Sequence, residues 1–246
     1  MKQFEIKQVL ELPAVAGFDL SITNSALWMI IAATTVTLFF AAASAKAAVV
    51  PGRLQSVGEM LYELIHNLTD SIIGHEGKKY FPFVFTLFSF ILCMNMLGLI
   101  PYFFTSTSQL AVTATLGLLV ISVVIAVGFA RNGLGFFKLF VPSGVPIFVL
   151  PLVVVIEVIS FLVRPVTLAL RLFGNMVGGH VVLKVFGGFV VSLGALGALG
   201  AAGALVTLTG IVAITALEFM VAFLQAFVFA VLACVYLNDV VNLHSH

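Results

Sequence analysis

Apolar residues in this chain form long runs. Short segments that are polar, or that contain Gly and Pro, separate these runs. Residues 80–130, 185–217 and 219–238 contain no Asp, Glu, Lys or Arg. An uncharged apolar run longer than about 18 residues is typical of a membrane-spanning helix. The pattern therefore predicts an all-α integral membrane protein with about five membrane helices, and residues 1–246 form a single membrane domain.

The breaks divide the chain into predicted spans. The first span covers residues 25–50 and ends at Pro51-Gly52, and residues 80–130 form a two-span hairpin with an interruption near Pro101. Residues 147–243 form a pair of long apolar tracts, each longer than the about 20 residues that a perpendicular helix needs. We therefore expect the last two helices to be long and strongly tilted, or broken.

Residues 53–74 differ from these runs because their apolar side chains recur at helical spacing and alternate with charged ones. Arg53, Glu59, Glu63 and Asp70 lie off the apolar face. This pattern predicts an amphipathic helix at the membrane surface.

Basic residues predict the orientation through the excess of Lys and Arg in cytoplasmic loops. The connection between the first and second spans carries Lys46, Arg53, Lys78 and Lys79. The connection after the third span carries Arg131 and Lys138, and the N-terminal segment carries only Lys2 and Lys7. Residues 1–24 are accordingly predicted to lie outside, with the C-terminus in the cytoplasm.

The composition limits the classes of function. The chain is 62% hydrophobic and 9% charged, against about 25% charged in soluble domains. A net charge of +1 gives no basic surface for nucleic acid, and neither a metal-ligand spacing nor a Gly-rich phosphate loop occurs. We expect no cofactor, metal or nucleic acid, and we interpret Cys93 and Cys234 as packing residues.

Arg171 is the strongest functional candidate, because placing its permanent charge near the bilayer centre costs roughly 2.5–3.5 kcal/mol. Glu157, Arg164 and Arg171 are spaced by seven residues. Each step of seven drifts only about 20° around a helix, so the three share one face. A salt bridge between Glu157 and Arg164 is the structural alternative for that pair. Arg171 has no acidic residue within two turns, so we expect its partner on another helix or subunit.

Two further polar groups belong to other faces. His180 lies nine residues beyond Arg171 and should point away from it, and it is either a proton-transfer group or a satisfied core histidine. Glu218 and Gln225 share one face of the last tract. A buried carboxyl such as that of Glu218 can exchange protons, whereas Gln225 either hydrogen-bonds Arg171 or makes a packing contact between helices.

Two long motifs carry a resemblance. RPVTLALRLFGNMVGGH at residues 164–180 and LEFMVAFLQAFVFAVLACVYL at residues 217–237 resemble the a subunit of F-type ATP synthases. NMLGLIP at residues 95–101 and QFEI at residues 3–6 are weaker likenesses in the same direction.

The resemblance implies a stator subunit that conducts protons through two half-channels to and from carboxylates of a rotating c-ring. The family's essential arginine falls on Arg171, its asparagine on Asn175 and its glutamine on Gln225. His180 and Glu218 would line the outer half-channel, and Glu157 would line the exit.

The implied partners are c-ring subunits, b-type peripheral stalk subunits, other ATP synthase subunits and membrane lipid. The subunit would not be catalytic on its own, and it would carry H⁺ across a bacterial inner membrane or, as second choice, a mitochondrial one. Many bacterial members have Glu at the position of His180 and His at the position of Glu218. The exchanged arrangement here is similar to alphaproteobacterial and mitochondrial members.

Other classes remain open at this point. A proton-coupled secondary transporter could use Arg171 to bind an anionic substrate, although no inverted repeat of interrupted helices is evident. A purely structural membrane subunit is a further alternative. An intramembrane protease is disfavoured because paired membrane aspartates and a Gly-x-Ser-x-Gly nucleophile are missing.

Overall fold

A computed structural model describes residues 8–10, 22–45, 48–100, 103–141 and 148–242. Several sequence predictions lie outside these residues: most of the segment 1–24 with Lys2, Lys7 and the QFEI motif, together with Lys46, Pro101 and the side chain of Lys138.

Six α-helices make up most of the described chain, and five helical segments are long and apolar enough to cross a membrane. The helices are α1 Asn24–Ser44, α2 Arg53–Ile73, α3 Gly77–Leu99, α4 Leu110–Asn132, α5 Leu150–Gly194 and α6 Ala198–Val241. Short 3-10 turns occupy Gly74–Glu76, Ser106–Ser108 and Gly133–Phe140, and a two-stranded antiparallel ribbon joins β1 Gln8–Leu10 to β2 Ile22–Thr23. The predicted all-α membrane class is confirmed for the part of the chain that crosses the bilayer.

The amphipathic helix α2 packs only part of its apolar surface against the bundle. Ile65 and Ile73 are buried against the core, whereas Leu54, Val57 and Met60 remain exposed. At its end Gly74 adopts a φ of 76°, a left-handed conformation that glycine tolerates without strain. This turn folds α3 back onto α2.

Helices α5 and α6 form the long pair that the sequence predicts. They contain 45 and 44 residues, so each is about 66–68 Å long at a rise of 1.5 Å per residue. The hydrocarbon core is only about 30 Å thick, and the helices must therefore tilt strongly or extend beyond it. Pro165 lies inside α5 without ending it, and a turn at Gly197 with a φ of 82° reverses the chain into α6.

The core lies where α3, α4, α5 and α6 meet. Phe88, Val120, Leu172 and Leu237 from these four helices are fully buried there. One side of the α5–α6 pair keeps large apolar residues exposed, among them Leu170, Leu217, Met220 and Leu224. That surface is suited to lipid or to another membrane subunit.

Polar bonds tie several helices together at one end of the bundle. Arg131 at the end of α4 forms a 2.8 Å ion pair with Glu76 in the α2–α3 turn. The Asn132 amide donates to the Val240 carbonyl of α6, and the Asn242 amide donates to the Ile73 carbonyl of α2. The α2–α3 turn and the ends of α4 and α6 therefore lie on the same side.

Candidate functional site

Arg171 lies on the outer surface of α5. Its side chain is exposed, and no hydrogen bond or ion pair joins it to another residue in the described part of the chain. Gly174 and Gly178 follow at one-turn intervals on the same exposed side, and a Cβ on either would meet open space. A helix from another subunit can therefore approach the Arg171 guanidinium closely.

Asn175 and Gln225 connect α5 to α6 one turn beyond Arg171. The Asn175 amide donates to the Gln225 side-chain carbonyl over 3.0 Å, and Gln225 is only 4% exposed. Of the two alternatives for Gln225, the structure shows the contact between helices, because Asn175 reaches Gln225 whereas Arg171 projects outward. The amide nitrogen of Gln225 is buried without a hydrogen-bond partner among the described residues.

His180 and Glu218 lie together in the interior, on a different side of α5 from Arg171. Both are buried and line a small cavity between α3, α5 and α6. The volume open to the centre of a water molecule is about 10 Å³, which is close to the room that one water needs. The site therefore combines a carboxyl and an imidazole with space for a single water.

Glu218 is held without a hydrogen bond from the described residues. Both of its carboxyl oxygens are buried and unpartnered there. The residue of α5 that lies against the Glu218 carboxyl is Gly179, where an added Cβ would overlap that carboxyl. Glycine at this position is thus what lets the carboxyl lie against α5 beside His180.

The His180 ring contacts a polar segment that sequence reasoning missed. Its Nε2 lies 3.2 Å from the Thr105 hydroxyl, which also lies 3.2 Å from the Gly98 carbonyl at the end of α3. Thr105 begins a run of four buried hydroxyl residues, Thr105 to Ser108. The sequence signal was present: four consecutive hydroxyl side chains within a charge-free region between two spans.

Asn95 adds a buried amide on α3. It is 0% exposed, and its nitrogen donates to the Ala222 carbonyl, one turn beyond Glu218 on α6. Its side-chain oxygen has no hydrogen-bond partner among the described residues. This bond fixes the height of α6 relative to α3 next to the Glu218 site.

Glu157 and Arg164 form a separate charged cluster with a third member. Arg164 lies 3.0 Å from Asp239 and 3.7 Å from Glu157, and its guanidinium lies over the Tyr236 ring at 5.0 Å. The predicted Glu157–Arg164 pair is therefore present, but the shorter contact is to Asp239 on α6. The rule that intramembrane charges pair could have indicated Asp239, the one acidic residue after Glu218.

The described residues hold no group of three or more side chains suited to bind a metal. Cys93 and Cys234 are both free, and the Cys234 sulfur lies 3.9 Å from the Thr69 hydroxyl.

The chain is similar to proteins of one family over nearly its whole length. The family model for the ATP synthase A chain matches residues 26–238. ATP synthase subunit a of Mesorhizobium japonicum is 54% identical over 98% of this chain and 95% of its own length. Subunit a of Rhizobium rhizogenes is 54% identical over 99% and 97%, and that of Rhodopseudomonas palustris is 50% identical over 98% and 96%.

Proposed function

Because this chain belongs to the ATP synthase A chain family, and is thus the proton-conducting subunit of the Fo membrane sector, we propose that its polar groups form two half-channels separated by Arg171. The observation that carries the proposal is the contrast between two places on α5. Arg171 is exposed beside two open glycines, whereas His180 is buried beside Glu218.

The outer half-channel ends at His180 and Glu218. Protons arriving from outside would pass between the imidazole, the carboxyl and the water-sized cavity, and would then reach a carboxylate of the c-ring. An imidazole can accept a proton on one ring nitrogen while the other ring nitrogen donates one. The absence of hydrogen bonds to Glu218 from other described residues leaves both of its oxygens available to water or protons.

Arg171 faces the c-ring and separates the two paths. An opposite charge favours the ionised form of a carboxyl, and at about 4 Å the attraction amounts to about 4 kcal/mol for an effective dielectric constant of about 20. A c-ring carboxylate passing Arg171 therefore stays ionised. The same positive charge repels a proton that would cross directly between the half-channels, so conduction requires rotation.

The exit half-channel leads past Glu157, Arg164 and Asp239. These three side chains form a partly exposed charged cluster on α5 and α6. It lies towards the bundle end where α4 and α6 are joined through Asn132 and Val240, since Asp239 directly precedes Val240. Protons released from the c-ring would leave along this cluster.

We place the protein in a bacterial inner membrane, with the N-terminus outside and the C-terminus in the cytoplasm. The clustering of Arg131, Lys78 and Lys79 on connections at one side supports this orientation. The proposed partners are c-ring subunits at the Arg171 face and b-type stalk subunits elsewhere. The subunit conducts protons, and the chemistry on ATP belongs to other subunits.

The test is ATP-driven proton pumping in inverted membrane vesicles that contain the whole ATP synthase. Arg171→Ala should abolish pumping while the complex still assembles. Arg131→Ala is the matched control, because it removes the same side chain from a surface ion pair that contributes at most about 1 kcal/mol. Normal pumping by an assembled Arg171→Ala complex would refute the gating role, and loss of assembly would favour the structural reading.

A further inference from the structure

The connection between α3 and α4 buries an unusual amount of hydroxyl surface. Thr105, Ser106, Thr107 and Ser108 are each at most 3% exposed. The Ser106 hydroxyl donates to the Ser25 carbonyl at the start of α1 over 3.4 Å. The Ser108 hydroxyl donates to the Thr105 carbonyl over 2.6 Å, whereas Thr107 Oγ1 has no partner among the described residues. Burying a hydroxyl without a partner costs about 1–3 kcal/mol in proteins.

Thr105 is the member of this run that contacts the proposed proton path. Its hydroxyl oxygen lies 3.2 Å from His180 Nε2 and 3.2 Å from the Gly98 carbonyl oxygen. A hydroxyl has one proton to donate and two lone pairs that accept. The His180 ring is also hydrogen-bonded to the Gly98 backbone. When the Thr105 hydroxyl donates to the Gly98 carbonyl, one of its lone pairs can accept a hydrogen bond from a protonated Nε2.

The same hydroxyl can also form a hydrogen bond with the ring when Nε2 is deprotonated. When Nε2 carries no proton, rotation of the Thr105 hydroxyl about its C–O bond turns its proton from Gly98 to Nε2. The ring then keeps a hydrogen bond at the same place, with donor and acceptor exchanged. His180 therefore does not need to move when its protonation state changes.

We propose that Thr105 is a positioning residue that holds the His180 ring in the outer half-channel in both protonation states. This inference rests on the proposed function, because it assigns Thr105 a role only if His180 conducts protons. Two neighbouring hydroxyls support it, since Thr107 Oγ1 and Ser25 Oγ are buried without hydrogen-bond partners in the described ranges. Buried groups of this kind are usually satisfied by ordered water.

The Thr105 side chain also packs against α3, and the experiment must separate that role from the hydroxyl. A Cβ at Gly98 would come 2.7 Å from the Thr105 methyl group, so the methyl fits closely against Gly98. Thr105→Val keeps a similar shape and removes the hydroxyl. Thr105→Ser keeps the hydroxyl and removes the methyl.

The experiment measures ATP-driven proton pumping per assembled complex in inverted vesicles. Thr105→Val should lower the pumping rate about tenfold, the equivalent of one lost buried hydrogen bond, and Thr105→Ser should retain at least about half of it. Thr113→Val is the matched control, because Thr113 is equally buried but its hydroxyl bonds only to carbonyls of its own helix turn, those of Gln109 and Leu110. The control should pump normally.

Three outcomes overturn the inference. Normal pumping by Thr105→Val would show that the hydroxyl is dispensable. Equal impairment of Thr105→Ser and Thr105→Val would assign the effect to packing. If Thr105→Val fails to assemble, Thr105→Ser is compared with Thr105→Ala, which differs only by the hydroxyl oxygen, and equal rates in that pair overturn the inference.

His180→Ala in the same vesicles separates this inference from the proposed function. If His180→Ala pumps normally, the proposed outer half-channel fails, and the role of Thr105 fails with it. If His180→Ala stops pumping while Thr105→Val does not, only the positioning role of Thr105 is overturned.

Discussion

Asn175 on α5 donates its amide proton to the Gln225 carbonyl on α6 over 3.0 Å. The bond lies one turn from Arg171 and joins the two helices that carry the charged and amide groups of the site. It also keeps Gln225 directed towards α5. The Arg171 guanidinium is consequently left without a hydrogen bond from the other described residues and remains available to a neighbouring subunit.

We expect this amide pair to contribute modestly to stability. A double-mutant cycle of Asn175→Ala and Gln225→Ala should give a coupling of about 0.6 kcal/mol in the free energy of unfolding in lipid–detergent micelles, the average for hydrogen bonds between membrane helices. A coupling near zero would mean that the two amides do not interact in the membrane.

Gly179 should be intolerant of any side chain because the Glu218 carboxyl occupies the space. Gly179→Ala is expected to reduce proton pumping strongly, although alanine favours a helix by about 1 kcal/mol over glycine. Gly188→Ala, on the same helix with open space around its Cβ, should pump normally.

Shortening the side chain of residue 218 provides a second test of the contact between Gly179 and the Glu218 carboxyl. In the double variant Gly179→Ala/Glu218→Asp, the side chain loses one methylene and withdraws from α5. We expect it to pump better than Gly179→Ala alone. If Glu218→Asp instead worsens the defect, the clash is not the cause.

The Arg164 cluster predicts unequal effects of its members. Arg164→Ala leaves Glu157 and Asp239 without the cation that lies between them, whereas Asp239→Ala leaves Arg164 with Glu157. Removing one partner of a partly buried ion pair is more harmful when an uncompensated charge remains. Arg164→Ala should therefore lower the amount of folded subunit in membranes more than Asp239→Ala does.

The double variant Arg164→Ala/Asp239→Ala should be less impaired than Arg164→Ala, because it removes one of the two unpaired carboxylates. The measurement is the subunit level in membranes after a heat step. A double variant that is worse than both single variants would contradict the electrostatic explanation.

Orientation can be tested with a membrane-impermeant thiol reagent. Leu134 is 84% exposed in the turn after α4, and the basic residues predict that this turn lies on the cytoplasmic side. A Leu134→Cys variant should react in inverted vesicles but not in intact spheroplasts. The wild-type chain is the control, since Cys234 is buried and Cys93 is partly buried within helices, and the opposite labelling pattern would reverse the orientation.

Periodicity predicted which side of α5 its residues occupy, but not what they would contact. Spacing alone indicates that Arg171 and His180 face different surroundings, and it places Glu157 and Arg164 on one face. The contacts of His180 with Thr105, and of Arg164 with Asp239, join residues 75 positions apart. Such pairs depend on how tilted helices meet in three dimensions, which no local pattern encodes.

Gln225 also shows that spacing predicts the face of a helix on which a residue lies but not the residue that it contacts. Its place on the Glu218 face followed from the seven-residue spacing, whereas the choice between its possible partners did not. Arg171 and Asn175 are one turn apart on α5, and a small rotation of the helix decides which of them reaches α6. In the structure Asn175 is the residue that reaches α6.

The bonds that gather at the Arg131 end of the bundle also have a mechanical consequence. If the c-ring lies against α5 and α6 as proposed, a sideways force from it acts on two helices that are each about 66–68 Å long. Asn132 on α4 and Asn242 beyond α6 pass that load to other helices through Val240 and Ile73. Helices α2 and α4, which are remote from the proton path, thus bear part of any sideways force on the end of α6.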